Sequence, residues 1–226
     1  MKYLLTAFCA LLLFSCSKDD DKPTTPPLAS RTVIIYISGE NSLSSFAPDD
    51  LEEMTEASKR IDSKNHLVVF FDNASRSEMP YIAELKNGEV VKDTGLRFSE
   101  DFYASDPEKM REILTYIMQR YPAKSYGIDL WGHGSGWFIT ADSIATTKTA
   151  SRAYGIDNGG NRSYDSGKWI NIPSLAKVFS QLPQPFLFVM GDCCFFQCVE
   201  TAYEMKDCTR YIIGSPSEVP GDGAAY

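Results

Sequence analysis

Five apolar runs punctuate the chain, rich in β-branched and aromatic residues: "RTVIIYISG" (31–39), "HLVVFFDN" (66–73), "SYGIDLWGHG" (125–134), "PFLFVMGD" (185–192) and "RYIIGS" (210–215). Their length and their Gly, Asp or Asn boundaries predict buried strands. Other segments carry helical spacing. Leu51, Met54, Ala57 and Ile61 share one face of "LEEMTEASKRI" (51–61), and "PEKMREILTYIMQR" (107–120) has Pro107 in its first turn. Further helices are predicted near 173–182 and over 195–206. "MPYIAELKNGEVVKDTGL" (79–96) reads as a hairpin turned by Asn87-Gly88 in type I′ geometry. Strands alternating with amphipathic helices imply an α/β sandwich with a mostly parallel sheet. Ligands in such sheets bind beyond the carboxyl ends of strands. Two of those ends carry chemistry: Trp131-Gly132-His133-Gly134, and Gly191-Asp192-Cys193-Cys194.

Composition narrows the class. A chain of 226 residues, 43% hydrophobic and 23% charged, is long enough for one globular domain with a real core. Its net charge of −8 repels phosphates and argues against nucleic acid as a partner. The first fifteen residues, with Lys2 ahead of "YLLTAFCALLLFS", read as a secretory signal too short to span a membrane comfortably. "LFSC" resembles a bacterial lipobox, which makes Cys16 a lipidation site and membrane anchor. Residues 16–30 follow as an acidic, Pro-rich tether, and 31–226 as the folded domain. Ser17 after the cysteine suggests an outer-membrane lipoprotein, periplasmic or surface-exposed. "KDDDK" resembles a surface-export tag, with a solvated charge run as the plainer reading.

Four more cysteines, Cys193, Cys194, Cys198 and Cys208, fall within sixteen residues. Outside the cytoplasm disulfides are the default expectation, and a Cys198–Cys208 bridge stays open. The spacing matches no common zinc site, and His66 and His133 add no local ligand, so no metal cluster is expected. A thiol where a strand turns into a helix meets free backbone N–H groups and a favourable dipole. Glycines on both sides of His133 leave its loop open to a substrate. By spacing alone His133 is equally a structural histidine and a catalytic base.

The motifs together are more specific. "HGSGW" (133–137) and "GDCCFFQCVETAYEM" (191–205) resemble the clostripain-like cysteine peptidases, a family of the caspase-like clan. Cys194 stands at the nucleophile of that family's Asp-Ala-Cys-Leu-Met motif, with Asp192 at the Asp and Cys193 at the Ala. Glu200, Ala202, Tyr203 and Glu204 continue in register. "TVIIYISGENSL" (32–43) resembles the opening strand, and "GSPSEVPGDGAAY" (214–226) the segment bordering the specificity pocket. The resemblance implies a caspase-like three-layer sandwich, its mostly parallel central sheet flanked by helices. It also implies a cysteine endopeptidase cutting after Arg or Lys through a Cys194–His133 dyad. Gly134 and Cys194 would supply oxyanion amides, and no third dyad partner is required. Asp192 would bind the basic P1 residue, although a helix N-cap is the competing role. Asp222, Ser215 and Glu218 are further pocket candidates.

The departures have consequences. Cys193 in place of Ala sets a second thiol beside the nucleophile, which allows an oxidised, inactive form. Cys198, Val199, Ala202 and Met205 would continue a helical face with Phe195, placing Cys198 in the core. The pocket segment ends at Tyr226, whereas family members usually continue, so a C-terminally truncated domain is expected. Many relatives also cut themselves between the dyad loops, which makes Lys148 and Arg152 autoprocessing candidates. "DNGGNRSYD" (157–165) superficially suggests a calcium loop but lacks the EF-hand ligand order, so turn chemistry is preferred. No cofactor is required; calcium stays open because some relatives use it. Two alternatives compete with the peptidase: a truncated, inactive or peptide-binding relative on the cell envelope, and a disulfide-stapled envelope protein.

Overall fold

Alternate residues of the first strand, β1 (Arg31–Gly39), enter different cores: Ile34 and Tyr36 on one side, Ile35 and Ile37 on the other. A strand apolar on both faces must lie inside a sheet covered on both faces, and this one does. The computed structural model describes residues 28–74, 78–136, 153–159 and 167–226; Cys16, Lys148 and Arg152 lie outside them. Parallel to β1 run β2 (Asn65–Asn73), β5 (Tyr126–Trp131), β8 (Phe186–Asp192) and β9 (Thr209–Gly214). The hairpin of β3 (Tyr81–Lys86) and β4 (Glu89–Lys92) adds antiparallel to β2, giving a seven-stranded order β4-β3-β2-β1-β5-β8-β9. Its turn has φ of 55° at Asn87 and 82° at Gly88, the left-handed pair that type I′ geometry needs.

Helix α1 (Ala47–Ala57) covers one face of the sheet through Ala47 and Met54. Helices α2 (Pro107–Arg120), α3 (Ile172–Ser180) and α4 (Val199–Met205) contribute to the core on the other. The fold is the expected α/β sandwich. Pro107 starts α2, and Asp106 caps it by accepting from the Glu108 and Lys109 amides at 2.9 and 3.0 Å, a device worth about 1 kcal/mol. The three largest fully buried side chains all spend their polar tips. Trp131 Nε1 donates to Asp50 Oδ2 at 2.6 Å, Tyr36 Oη donates to Ala104 O at 2.8 Å, and Tyr154 Oη lies 3.0 Å from both Tyr36 O and Trp131 O, its one proton shared between these two carbonyls.

Three expectations change. The stretch between the dyad loops, where no strand was expected, supplies a two-stranded sheet, β6 (Ala153–Asp157) and β7 (Lys168–Asn171), tied to the main sheet through Tyr154. Helix α1 starts four residues before the predicted 51, at Ala47 with Pro48 in its first turn. The largest correction is at α4, which starts at Val199 and not at 195. Phe196, only 2% exposed, packs against the glycines ending β8 and β9, so a side chain at Gly191 would come within 2.1 Å of its ring. Burying that ring, with Phe195 in the left-handed region at φ 58°, overrides helical continuation from the strand. The helical face moves accordingly: Val199 is 77% exposed, and Thr201 and Met205 are the buried residues. Cys198 is only half-buried, its Sγ 3.2 Å from Thr201 Oγ1. All four described cysteines are free thiols, and Cys208 donates to Ala176 O, so no Cys198–Cys208 bridge forms.

Candidate active site

Strands β5 and β8 are parallel neighbours, so both chemistry-bearing loops leave the same edge of the sheet side by side. Trp131 pairs with Asp192 in register, which sets His133 and Cys194 two residues beyond a common line. Both line one open cleft of about 420 Å³, with Leu43, Asp192, Val219, Pro220, Gly221 and Gly223 around them. The two loops touch. A β-carbon on Gly134 would fall 2.4 Å from Cys194 O, and one on Gly136 would fall 2.6 Å from Phe195 Cβ. Glycine at 134 is therefore a packing requirement.

Cys194 occupies a turn five residues ahead of α4, so it is not part of that helix's first turn. The expected dipole is replaced by a backbone clamp. Phe195 N donates to Ser217 O at 2.9 Å and Gln197 N to Ser215 O at 3.0 Å, pinning the turn against residues 215–217. That clamp brings the Val219 amide to Cys194 Sγ at 3.4 Å, an N–H donor where negative sulfur would carry its charge. Among the described residues, neither the Gly134 nor the Cys194 amide donates a hydrogen bond within the chain.

Burial holds the His133 imidazole below its ordinary range, so the ring is neutral near neutral pH. Its Nε2 lies 2.9 Å from Ser42 Oγ, which leaves Nδ1 as the second ring nitrogen for proton transfer. The sequence reading supplied no orienting partner for His133. Ser42 follows β1 by three residues, and its only signal was that position beyond a strand's carboxyl end. His66 lies elsewhere, its Nδ1 2.7 Å from Glu84 on β3.

The other expected residues divide. Asp192, 7% exposed, lines the cleft, and its Oδ2 accepts from Ala224 N at 2.9 Å and Tyr226 Oη at 2.8 Å. It does not cap α4, whose N-cap is Cys198. Ser215, Glu218 and Asp222 are not among the lining residues: Glu218 and Asp222 are exposed, and Ser215 Oγ lies 3.2 Å from Ser217 Oγ. Lys148 and Arg152 fall outside the described residues. Cys193 is buried, and that desolvation first, with the Asp192 charge adding to it, raises its thiol well above the usual range. That thiol stays protonated, which works against the oxidised form its position suggested. The described start of the 157–165 run makes turn contacts, Asp157 accepting from the Gly159 and Ala104 amides at 2.7 and 2.6 Å.

Buried carboxyls set the pH response of the fold. Burial raises Asp50 to about 6, Asp157 to about 6 and Asp129 to about 7, and raises Asp72 beside Asp157 as well. Each holds a proton in the folded chain that the unfolded chain has already lost. Folding stability therefore falls as pH climbs from about 4 toward 7 and levels off above. Asp93 has the opposite sign: against burial, hydrogen bonds from Tyr116, the Gly95 amide, Tyr121 and Arg120 lower it, so its contribution is lost on strong acidification. The expected result is a higher Tm near pH 5 than near pH 8 in thermal melts. A Tm that rises over that interval would contradict this assignment.

Comparison with known proteins places this geometry. The model of the clostripain family matches residues 35–226. The chain is similar to a secreted C11 cysteine protease from Bacteroides thetaiotaomicron, solved with an irreversible peptide inhibitor. The TM-score is 0.73 at 35% identity, over 88% of this chain and 52% of that one. An inactive zymogen C11 protease from Parabacteroides distasonis gives a TM-score of 0.68 at 30% identity, over 88% of this chain and 52% of its own. The chain thus spans about half the length of these solved relatives, at 52% of each. No curated protein matches.

Proposed function

The chain belongs to the clostripain family of cysteine peptidases, and we propose that it hydrolyses peptide bonds after Arg or Lys through Cys194 and His133. One observation carries the reading: the thiol and the imidazole line the same cleft at the carboxyl ends of adjacent strands. His133 takes the Cys194 proton, and the sulfur attacks the peptide carbonyl carbon. The Gly134 and Cys194 amides receive the carbonyl oxygen as its charge develops. His133 then protonates the leaving amine as the C–N bond breaks, leaving a thioester. Water, deprotonated by His133, attacks that thioester and returns the thiol. Ser42 holds the ring during both transfers as a positioning residue.

Asp192 is the proposed seat for the basic P1 group. Its Oδ1 carries no hydrogen bond among the described residues, so a guanidinium or ammonium can engage it. We further infer that Cys16 anchors the domain to the cell envelope, where the tether would present this cleft to protein substrates. Self-cleavage after Lys148 or Arg152 is part of the same proposal.

Fluorogenic peptides that differ only at P1 decide the specificity. Asp192→Asn should lower kcat/KM for Arg and Lys roughly 100-fold while changing a neutral P1 far less. An Arg/Lys preference left intact in that variant would remove Asp192 from the pocket.

A further inference from the structure

We propose that Asp129 serves this site as a neutral carboxylic acid, whose proton, relayed through the Tyr226 hydroxyl, holds Asp192 as the anion of the pair beneath the cleft. The inference rests on the reading of Asp192 as the P1 seat and adds the group that keeps it charged and oriented. Tyr226 Oη lies 2.8 Å from Asp129 Oδ2 and 2.8 Å from Asp192 Oδ2. A phenol has one proton and can donate to only one of these oxygens. The other contact is attractive only if that carboxyl brings a proton of its own; otherwise two buried anions share a single donor.

The surroundings decide which carboxyl holds it. Asp192 accepts a second donor, the Ala224 amide, and borders the cleft. Asp129, 2% exposed and without a border on the cleft, receives the Asp192 amide on its other oxygen at the long distance of 3.3 Å, with the Leu130 amide as a further backbone donor. The titratable groups around it are Asp192 and Cys193 from the β8 strand end, Tyr154 from β6, and Tyr226, with Asp50 of α1 near Asp192. None of these is a cation. Burial raises Asp129 most, the Tyr226 hydrogen bond opposes that, and the Asp192 charge adds to the rise. The proton thus belongs on Asp129 Oδ2, which donates to Tyr226 Oη; Tyr226 Oη in turn donates to Asp192 Oδ2, leaving Oδ1 for the P1 group.

The relay also fixes a wall. Pro220, Gly221 and Gly223, which line the cleft, belong to the short segment that Tyr226 ties down. Asp129 is therefore a positioning residue for P1 recognition, acting through Tyr226.

Kinetics and infrared spectroscopy test this together. Asp129→Leu should raise KM for an Arg-P1 peptide about tenfold with little change in kcat. Asp129→Asn, whose amide N–H replaces the carboxyl O–H toward Tyr226, should restore most of that loss. An Asn variant as impaired as Leu would overturn the proposal, because a second anion would then be the working form. In wild type minus Asp129→Asn infrared difference spectra near pH 6, a protonated-carboxyl C=O band should be lost; no lost band overturns the proposal. Should the Asn variant fail to fold, Tyr226→Phe removes the acceptor of the same proton and must shift that band, and an unshifted band is equally fatal. The spectroscopic arm is independent of turnover. A lost band in a protein that ignores Arg-P1 peptides sinks the P1 reading alone. Arg turnover without the band sinks the relay alone.

Discussion

Cys194→Ala should abolish hydrolysis of an Arg-P1 peptide, by roughly ten-thousandfold or more, whereas Cys193→Ala should keep most of the activity. The two thiols are adjacent in sequence and opposite in environment. Cys194 is partly exposed to the cleft and receives the Val219 amide at 3.4 Å. Cys193 is buried, 3% exposed, with its thiol raised chiefly by that burial and further by the Asp192 charge. Replacing it removes one buried sulfur and should cost about 1 kcal/mol of stability without touching the nucleophile. Initial rates and thermal melts of both variants, with mass spectrometry of iodoacetamide-treated protein, separate the cases. One rapidly modified thiol, at Cys194, is the expected outcome. If Cys193→Ala were the dead variant, the register of the nucleophile motif would be wrong by one residue. If neither thiol mattered to turnover in an active preparation, the dyad itself would fall.

Much of this was legible in the chain because it rests on local rules. Asn87-Gly88 marks the hairpin, Pro107 marks the start of α2, and apolar strands alternating with amphipathic helices imply the mostly parallel sheet. Parallel order set two chemistry-bearing strand ends side by side, and the family resemblance, not spacing, named His133 and Cys194 as the dyad. What stayed hidden depends on contacts distant in sequence. Phe196 is helical by pattern, yet its ring seals the glycines of β8 and β9 and delays α4 to Val199. Tyr154 lies in a polar, turn-rich stretch, yet its hydroxyl bonds the backbone of β1 and β5. The Asp129–Tyr226–Asp192 contacts join positions 97 and 34 residues apart, where neither periodicity nor spacing carries a signal. Ser42 was inside a quoted motif but had no role until the ring of His133 appeared beside it.

Gly134→Ala tests how closely the two loops must fit, and it should lower kcat roughly 100-fold while leaving the domain folded. A methyl at 134 would stand 2.4 Å from Cys194 O, 2.9 Å from Cys193 Sγ and 3.1 Å from Cys193 Cβ. The first of these is backbone, held by the clamp to residues 215–217, so the nucleophile turn cannot yield cheaply. The histidine loop must retreat instead, by an amount on the order of 1 Å, enough to misplace a base and an oxyanion amide together. Overpacking of this kind costs about 1–3 kcal/mol, so Tm should drop by a few degrees without loss of cooperativity. The kinetic pattern distinguishes this from general damage. Asp192 belongs to β8 and keeps its contacts, so KM for a basic P1 should change far less than kcat. A Gly134→Ala enzyme with wild-type kcat would mean that the loops have slack the geometry does not provide. The pairing of imidazole and sulfur across that contact would then no longer explain catalysis.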